Sequence, residues 1–172
     1  MIQSQRVNII PFRRRFIASK YINWLNDPDV TRFSNQRVHV HTKTSFLDYL
    51  DSYRNSENML WAIVETPEGH GHIGNINATI DRASQIADIG IVIGGKLWGK
   101  GYRLEVWLAV CDYLFSRGLI LKIAGGAVAT NEAMVSIFRK AGMQKQSPPL
   151  SQELVGGVLE NVIKFELLKR AA

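Results

Sequence analysis

Residues 94 to 101 read G-G-K-L-W-G-K-G. Gly94 is followed after four residues by Gly99 and Lys100, the G-x-x-x-x-G-K spacing of a nucleotide-phosphate loop. That loop needs a Ser or Thr next, because the hydroxyl holds the magnesium that bridges the phosphates. Here the next residue is Gly101. What remains is a turn whose glycines clear side chains from the approach to a helix start. N–H groups there are unpaired and the helix dipole favours an anion. A pyrophosphate held without a metal fits this geometry, with Lys96 and Lys100 adding charge. A plain strand-to-helix turn fits glycines at this spacing equally well.

Other groups invite chemistry less strongly. His39 and His41 form one H-x-H pair, and His70 and His72 another. Alternate residues of a strand share a face, so either pair could grip a metal. The second pair is interleaved with glycine and reads as a turn, and neither has a cysteine nearby, so no metal is expected. His39 or His41 fits better as a base on the substrate side. Arg13, Arg14 and Arg15 suit a solvated face, and no RNA-binding signature accompanies them, so a nucleic-acid partner is not expected. Trp24, Trp61, Trp98 and Trp107 read as core or pocket wall.

The elements that must position these groups follow from periodicity. VNIIPF predicts a first strand. KYINWLNDPDV predicts a short helix stopped by Pro28. Thr42 or Thr44 caps a second helix with the stripe Phe46, Tyr49, Leu50 and Tyr53. MLWAIVE, HIGNINATID and QIADIGIVIG predict three strands, with PEGHGH a turn between the first two. Lys100 to Arg117 predicts a helix with Leu104, Leu108, Cys111 and Phe115 on one apolar face, ended by Gly118. LILKIAGGAVA predicts a strand. Asn131 caps a helix with Met134, Ile137, Phe138 and Ala141 inward, ended by Gly142. Two last strands flank Gly156-Gly157. The order β-α-α-β-β-β-α-β-α-β-β predicts one α/β domain over residues 1–172, with a parallel crossover inside a mixed sheet.

Composition agrees. The chain has 172 residues, 46% of them apolar and 21% charged, and no apolar run approaches a membrane span. A single cysteine excludes an internal disulfide and points to a reducing cytoplasm. The net charge of +6 suggests a polyanionic partner, for which a phosphate-rich cofactor would serve.

ADIGIVIGGKLWGKGY, LFSRGLILKI and TNEAMVSIFRKAGM, in that order, resemble the GNAT acetyltransferases, and WLNDPDVTRFSNQR resembles their RimJ/RimL-type branch. The resemblance runs from about residue 7 to residue 168. It implies acetyl-CoA as donor and a primary amine as acceptor, on a small molecule such as an amino sugar or on a protein N-terminus. It implies a strand, Ile89 to Ile93, splayed from a parallel neighbour, Leu121 to Ala127, with the pantetheine entering the gap. Ile91 and Ile93 would pair with the pantetheine amides, and the N–H groups of Trp98, Gly99, Lys100, Gly101 and Tyr102 would surround the pyrophosphate. Lys96 stands where Gln or Arg is usual. Asn131 and Phe138 would also contact the cofactor. Asp88 would be the general base, the N–H near Val92 the oxyanion donor, and Trp24, Arg37 and His39 the acceptor residues. Phe138 replaces the Tyr that often protonates the leaving thiolate, so Phe138→Tyr would raise turnover if that step is limiting, and Ser136 and Tyr102 are other hydroxyls for the task. A monomer or homodimer is expected, with no membrane. A non-catalytic acyl-CoA-binding module stays open as the alternative.

Overall fold

The computed structural model describes residues 1–66, 71–147, 151–155 and 157–169, and its chain winds around one mixed sheet. The strands are β1 (Ile2–Gln3), β2 (Val7–Pro11), β3 (Met59–Glu65), β4 (His72–Asp81), β5 (Ile86–Ile93), β6 (Lys122–Val128), β7 (Gln144–Lys145), β8 (Ser151–Val155) and β9 (Val158–Leu168). They lie in the order β1-β2-β3-β4-β5-β6-β9-β7, with β8 also on β9. Only β5 and β6 pair in parallel among the described strands. The helices are α1 (Ser19–Leu25), α2 (Pro28–Thr31), α3 (Lys43–Ser52), α4 (Tyr102–Ser116) and α5 (Glu132–Lys140).

The sheet is covered on both faces. Ala87, Ile89 and Ile93 of β5 join Val106, Trp107 and Val110 of α4 and Phe138 of α5 in one core. On the opposite face Leu60 and Ala62 of β3 meet Tyr21, Leu25 and Phe46 from α1 and α3. The period of two sends neighbouring residues of each strand to different cores.

Most of the expected elements are present, with three differences. Pro28 does not simply stop a helix. It opens α2 as its first residue, and Asp27 Oδ1 accepts from the Asp29 N–H at 2.9 Å. A proline there loses no hydrogen bond, because the first turn leaves its N–H groups unpaired anyway. The buried face of α4 is rotated from expectation: Val106, Trp107, Val110 and Leu114 are buried with Cys111, while Leu108 is 39% exposed. This helix is apolar around much of its circumference, so the sheet, not the period, selects the face. The two-residue strands β1 and β7 are too short to leave a periodic signal. Thr42 caps α3 in a capping box with Ser45, Asn131 caps α5, and Gly118, Gly142 and Gly157 all have positive φ. Gly156 and most of the PEGHGH turn, residues 67–70, lie outside the described residues.

Candidate active site

The site begins with the unequal edges of β5. Along one edge all eight residues, Ile86 to Ile93, pair with β4. Along the other only Ile86, Ala87 and Asp88 pair, with Lys122, Ile123 and Ala124 of β6. Beyond that point each strand follows its own antiparallel partner: β5 stays with β4, and β6 stays with β9 through Val128↔Val162. The Gly94 N–H donates to Ile73 O at 3.0 Å, and Gln85 O accepts from the Leu121 N–H at 2.9 Å. By alternation, odd-numbered β5 residues turn their main-chain groups toward β6. Ile89, Ile91 and Ile93 therefore face the gap. Val92 faces β4, and its carbonyl oxygen lies 2.2 Å from where a Gly74 Cβ would sit. The Val92 main chain, expected as oxyanion donor, is thus corrected to one that faces β4 and not the gap.

A cleft of about 920 Å³ runs through this gap. Its far wall is β6 and α5, which close on each other because Gly125 has no side chain. A Cβ there would lie 2.8 Å from the Phe138 ring.

The connection from β5 to α4 is shaped by glycine and anchored from a distance. Gly99 and Gly101 have φ of +76° and +83°, a region that side-chain-bearing residues rarely adopt. The Trp98 N–H donates to Gly95 O at 3.2 Å, so it is already engaged. The N–H groups of Gly99, Lys100, Gly101 and Tyr102 have no main-chain partner among the described residues, as a helix start requires. Arg6 on the β1–β2 connection holds the loop: its Nη1 donates to Lys100 O at 2.8 Å, and its Nε donates to Glu105 Oε2 at 2.7 Å. Burial alone would raise the Glu105 carboxyl, but hydrogen bonds from Ser4 and from Arg6 outweigh it and hold the carboxyl below its usual range. Arg103, the second residue of α4, lines the cleft with its Nε buried and without a partner among the described residues. Desolvation lowers its pKa.

The cleft brings together Ile91, Val92, Ile93, Trp98, Gly99 and Gly101, and also Tyr102, Asn131, Phe138 and His39. Lys96, Lys100, Trp24, Arg37 and Asp88 are not on its lining. Trp24 packs on the main chain at Gly94, 2.5 Å from where a Cβ would be. Arg37 ties the loop after α2 to the β8–β9 hairpin, donating to Ser34 O at 2.7 Å and to Leu154 O at 2.6 Å. Asp88 is exposed at the last β5–β6 pair, and desolvation raises its carboxyl above the usual range against the pull of Lys164. His72 sits among the rings of Phe12, Phe16, Tyr21 and Trp24 and is not on the cleft lining; His70 lies outside the described residues.

Four details bear on chemistry. Trp98 Nε1 donates to Ile93 O at 2.8 Å, so that gap-facing carbonyl already has a partner. The Tyr102 hydroxyl donates to Glu65, which removes it as a proton source. Ser136 is among the residues that line the cleft. His41 also lines it, with Nε2 3.1 Å from Gln36 O. A carbonyl only accepts, so in this contact the Nε2 bears the proton. Asn26 pins the His41 main chain on both sides, at 2.8 Å each. Arg6, Arg103, Asn75 and Asn77 escape a reading of sequence, because nothing local marks a side chain that works across the fold.

A model of the acetyltransferase (GNAT) domain matches residues 6–144. The chain belongs to the GNAT acetyltransferase family. One curated relative, an uncharacterized N-acetyltransferase p20 from Bacillus licheniformis, is 29% identical over 158 residues, covering 89% of this chain and 88% of its own. Among solved structures, the RimL ribosomal L7/L12 alpha-N-protein acetyltransferase in complex with coenzyme A superposes at a TM-score of 0.85, with 13% identity and 97% of both chains covered. The spermidine N-acetyltransferase of Vibrio cholerae with CoA and spermine gives 0.82, with 15% identity and 95% of both covered. At these identities the likeness is one of fold, and in that fold this GNAT enzyme is an N-acetyltransferase. Among the described residues, no helix is long and apolar enough to cross a membrane.

Proposed function

We propose that this GNAT enzyme transfers acetyl from acetyl-CoA to a primary amine, with the amine approaching from the α1–α3 side of β5. The observation that carries the proposal is the parallel pair that ends after Asp88↔Ala124, leaving the main chain of Ile91 and Ile93 turned into a cleft. Acetyl-CoA supplies an acetyl group activated as a thioester. Ile91 and Ile93 pair with its pantetheine amides. The N–H groups of Gly99 to Tyr102, with the Arg103 guanidinium, hold its pyrophosphate. Asn131 and Phe138 line the arm, and Lys96 and Lys100 contribute charge from the rim.

An amine of pKa about 10.4 arrives protonated and must lose that proton before it attacks. His41 is the better-placed acceptor, since it lines the cleft and its Nδ1 is the ring nitrogen not engaged by Gln36, whereas Asp88 is off the lining and would act only through water. The Ile91 N–H is the donor for the thioester oxygen, and the Ser136 hydroxyl is the proton source for the departing sulfur.

The test pairs His41→Gln with Asp88→Asn, reading thiol release and CoA binding for each. His41→Gln should lower kcat about 100-fold or more with CoA affinity kept, and Asp88→Asn less than about tenfold. The reverse order returns the role to Asp88. If the wild type binds CoA yet releases no thiol with any amine, the chain is an acyl-CoA-binding module.

A further inference from the structure

Resting on the transferase reading above, the acceptor half of the cleft narrows the kind of amine. Its described lining holds a single carboxylate, Asp29, and that residue is exposed. Arg32, likewise exposed, stands on the same lining, 5.1 Å from the Phe33 ring centroid, and among the described residues no carboxylate pairs with it. The floor is made of carboxamides. Asn75 and Asn77 lie on β4 beside Val92 and Gly90 of β5. Asn75 is 7% exposed, and the Tyr21 hydroxyl donates to its Oδ1 at 3.1 Å. With the oxygen engaged, the amide is oriented and its Nδ2 hydrogens remain for another acceptor. Burial keeps the Tyr21 phenol protonated, so it stays a donor.

The surroundings have the same sign. Arg103 and Lys140 line the cofactor half, and the whole chain carries a net charge of +6. A polyamine entering this cleft would bring several ammonium groups to one exposed carboxylate, against a positive field. Each ammonium left unpaired in a partly desolvated cleft is costly. A molecule with one amine and an oxyanion would find Arg32 and the Asn75 amide instead. We infer that the acceptor is a primary amine borne on an anionic molecule, its carboxylate or phosphate received by Arg32 and its neighbouring oxygens by the Asn75 and Asn77 carboxamides.

Matched pairs test this. Glycine is compared with glycinamide, glucosamine 6-phosphate with glucosamine, and spermidine is run beside them. Each is assayed for thiol release at saturating acetyl-CoA, and for binding by calorimetry in the presence of CoA. The anionic member of at least one pair should exceed its neutral partner about tenfold in kcat/KM and in affinity, with spermidine last. The two pairs separate a carboxylate from a phosphate as the anion. Arg32→Glu, shown folded by thermal melting, should abolish or reverse that preference. Spermidine as the best acceptor, or no preference within either pair, overturns the inference while the transferase reading stands. CoA binding with no thiol release from any amine overturns the transferase reading instead, and the calorimetric order then decides the acceptor preference on its own.

Discussion

On the proposed cofactor side of the cleft most of the groups assigned a role are main chain, the gap-facing atoms of Ile91 and Ile93 and the N–H groups after Trp98, with the Arg103 and Ser136 side chains beside them. On the proposed acceptor side they are side chains, His41, Asn75, Asn77 and Arg32, brought from a loop, a strand and the turn after α2. The first set needs only that the backbone take a certain path, which glycine and strand pairing enforce. The second needs distant segments to be held in place, and the structure shows the ties: Asn26 on His41, Tyr21 on Asn75, Arg37 on the β8–β9 hairpin. The two halves should therefore fail differently when altered.

The largest effect is expected on the main-chain side. Gly101→Val puts a branched residue at φ of +83°, which costs ~1–2 kcal/mol in stability. It also crowds the proposed pyrophosphate path, and CoA affinity should fall about 100-fold, or ~2.7 kcal/mol. Calorimetry and denaturant melts read both, and the acceptor preference should not change. Unchanged CoA affinity in the folded variant would break the comparison.

Next comes the scaffold beneath the acceptor side. Burial lowers His72 to a pKa of about 4, with Lys20 adding to the shift and a hydrogen bond with Gly74 opposing it. The folded value lies below the unfolded one of 6.5, so the fold holds the neutral ring. Below about pH 6.5 the unfolded chain takes up a proton that the folded one refuses, and stability drops as pH falls toward about 4. The loss is on the order of 3 kcal/mol across that window. His72→Phe, packing among the same rings, should flatten the acid slope in urea melts at about pH 7 and about pH 4.5. A slope unchanged by the substitution assigns the acid loss to other groups.

Phe138→Tyr sharpens the view of the cofactor wall. The resemblance alone predicts a gain in turnover if protonation of the thiolate is limiting. The ring is 1% exposed, between Trp107 and Phe165, and its Cζ lies 3.0 Å from where a Gly125 Cβ would be. A hydroxyl there enters the core unpaired, at about 2 kcal/mol, so the melting temperature should fall with no rise in kcat. A faster variant would restore the missing acid to this position.

The smallest effect is at Trp98, 44% exposed and bonded to Ile93 O. Trp98→Phe frees that carbonyl for a ligand amide and should tighten CoA about fivefold, a net hydrogen bond being worth ~1 kcal/mol. Weaker binding would make the indole a contact rather than a competitor.

The comparison also marks what could be read early. The glycine loop, the caps at Thr42 and Asn131, and the glycines after the helices are local requirements, so their residues announce them. The expected splay of β5 from β6 is present, although Leu121 is outside β6 and half exposed. Asp88 looked apt because it sits in the strand feeding the loop. Its distance from the cleft lining depends on where the sheet opens, and no single strand carries that information.

By itself the sequence determined which segments form the longer helices and strands and where glycine must permit a positive φ, and it left residues 94–101 open to an anion or to a plain turn. These are properties of neighbours along the chain, set by sterics and by unpaired N–H groups at a helix start. Only the tertiary structure decided which face of α4 is buried, that Val92 turns away from the gap while Ile91 turns into it, and that Asn75 and Asn77, not carboxylates, floor the acceptor side. Those outcomes depend on register and packing between segments far apart in sequence, where a shift of one residue exchanges one face for the other.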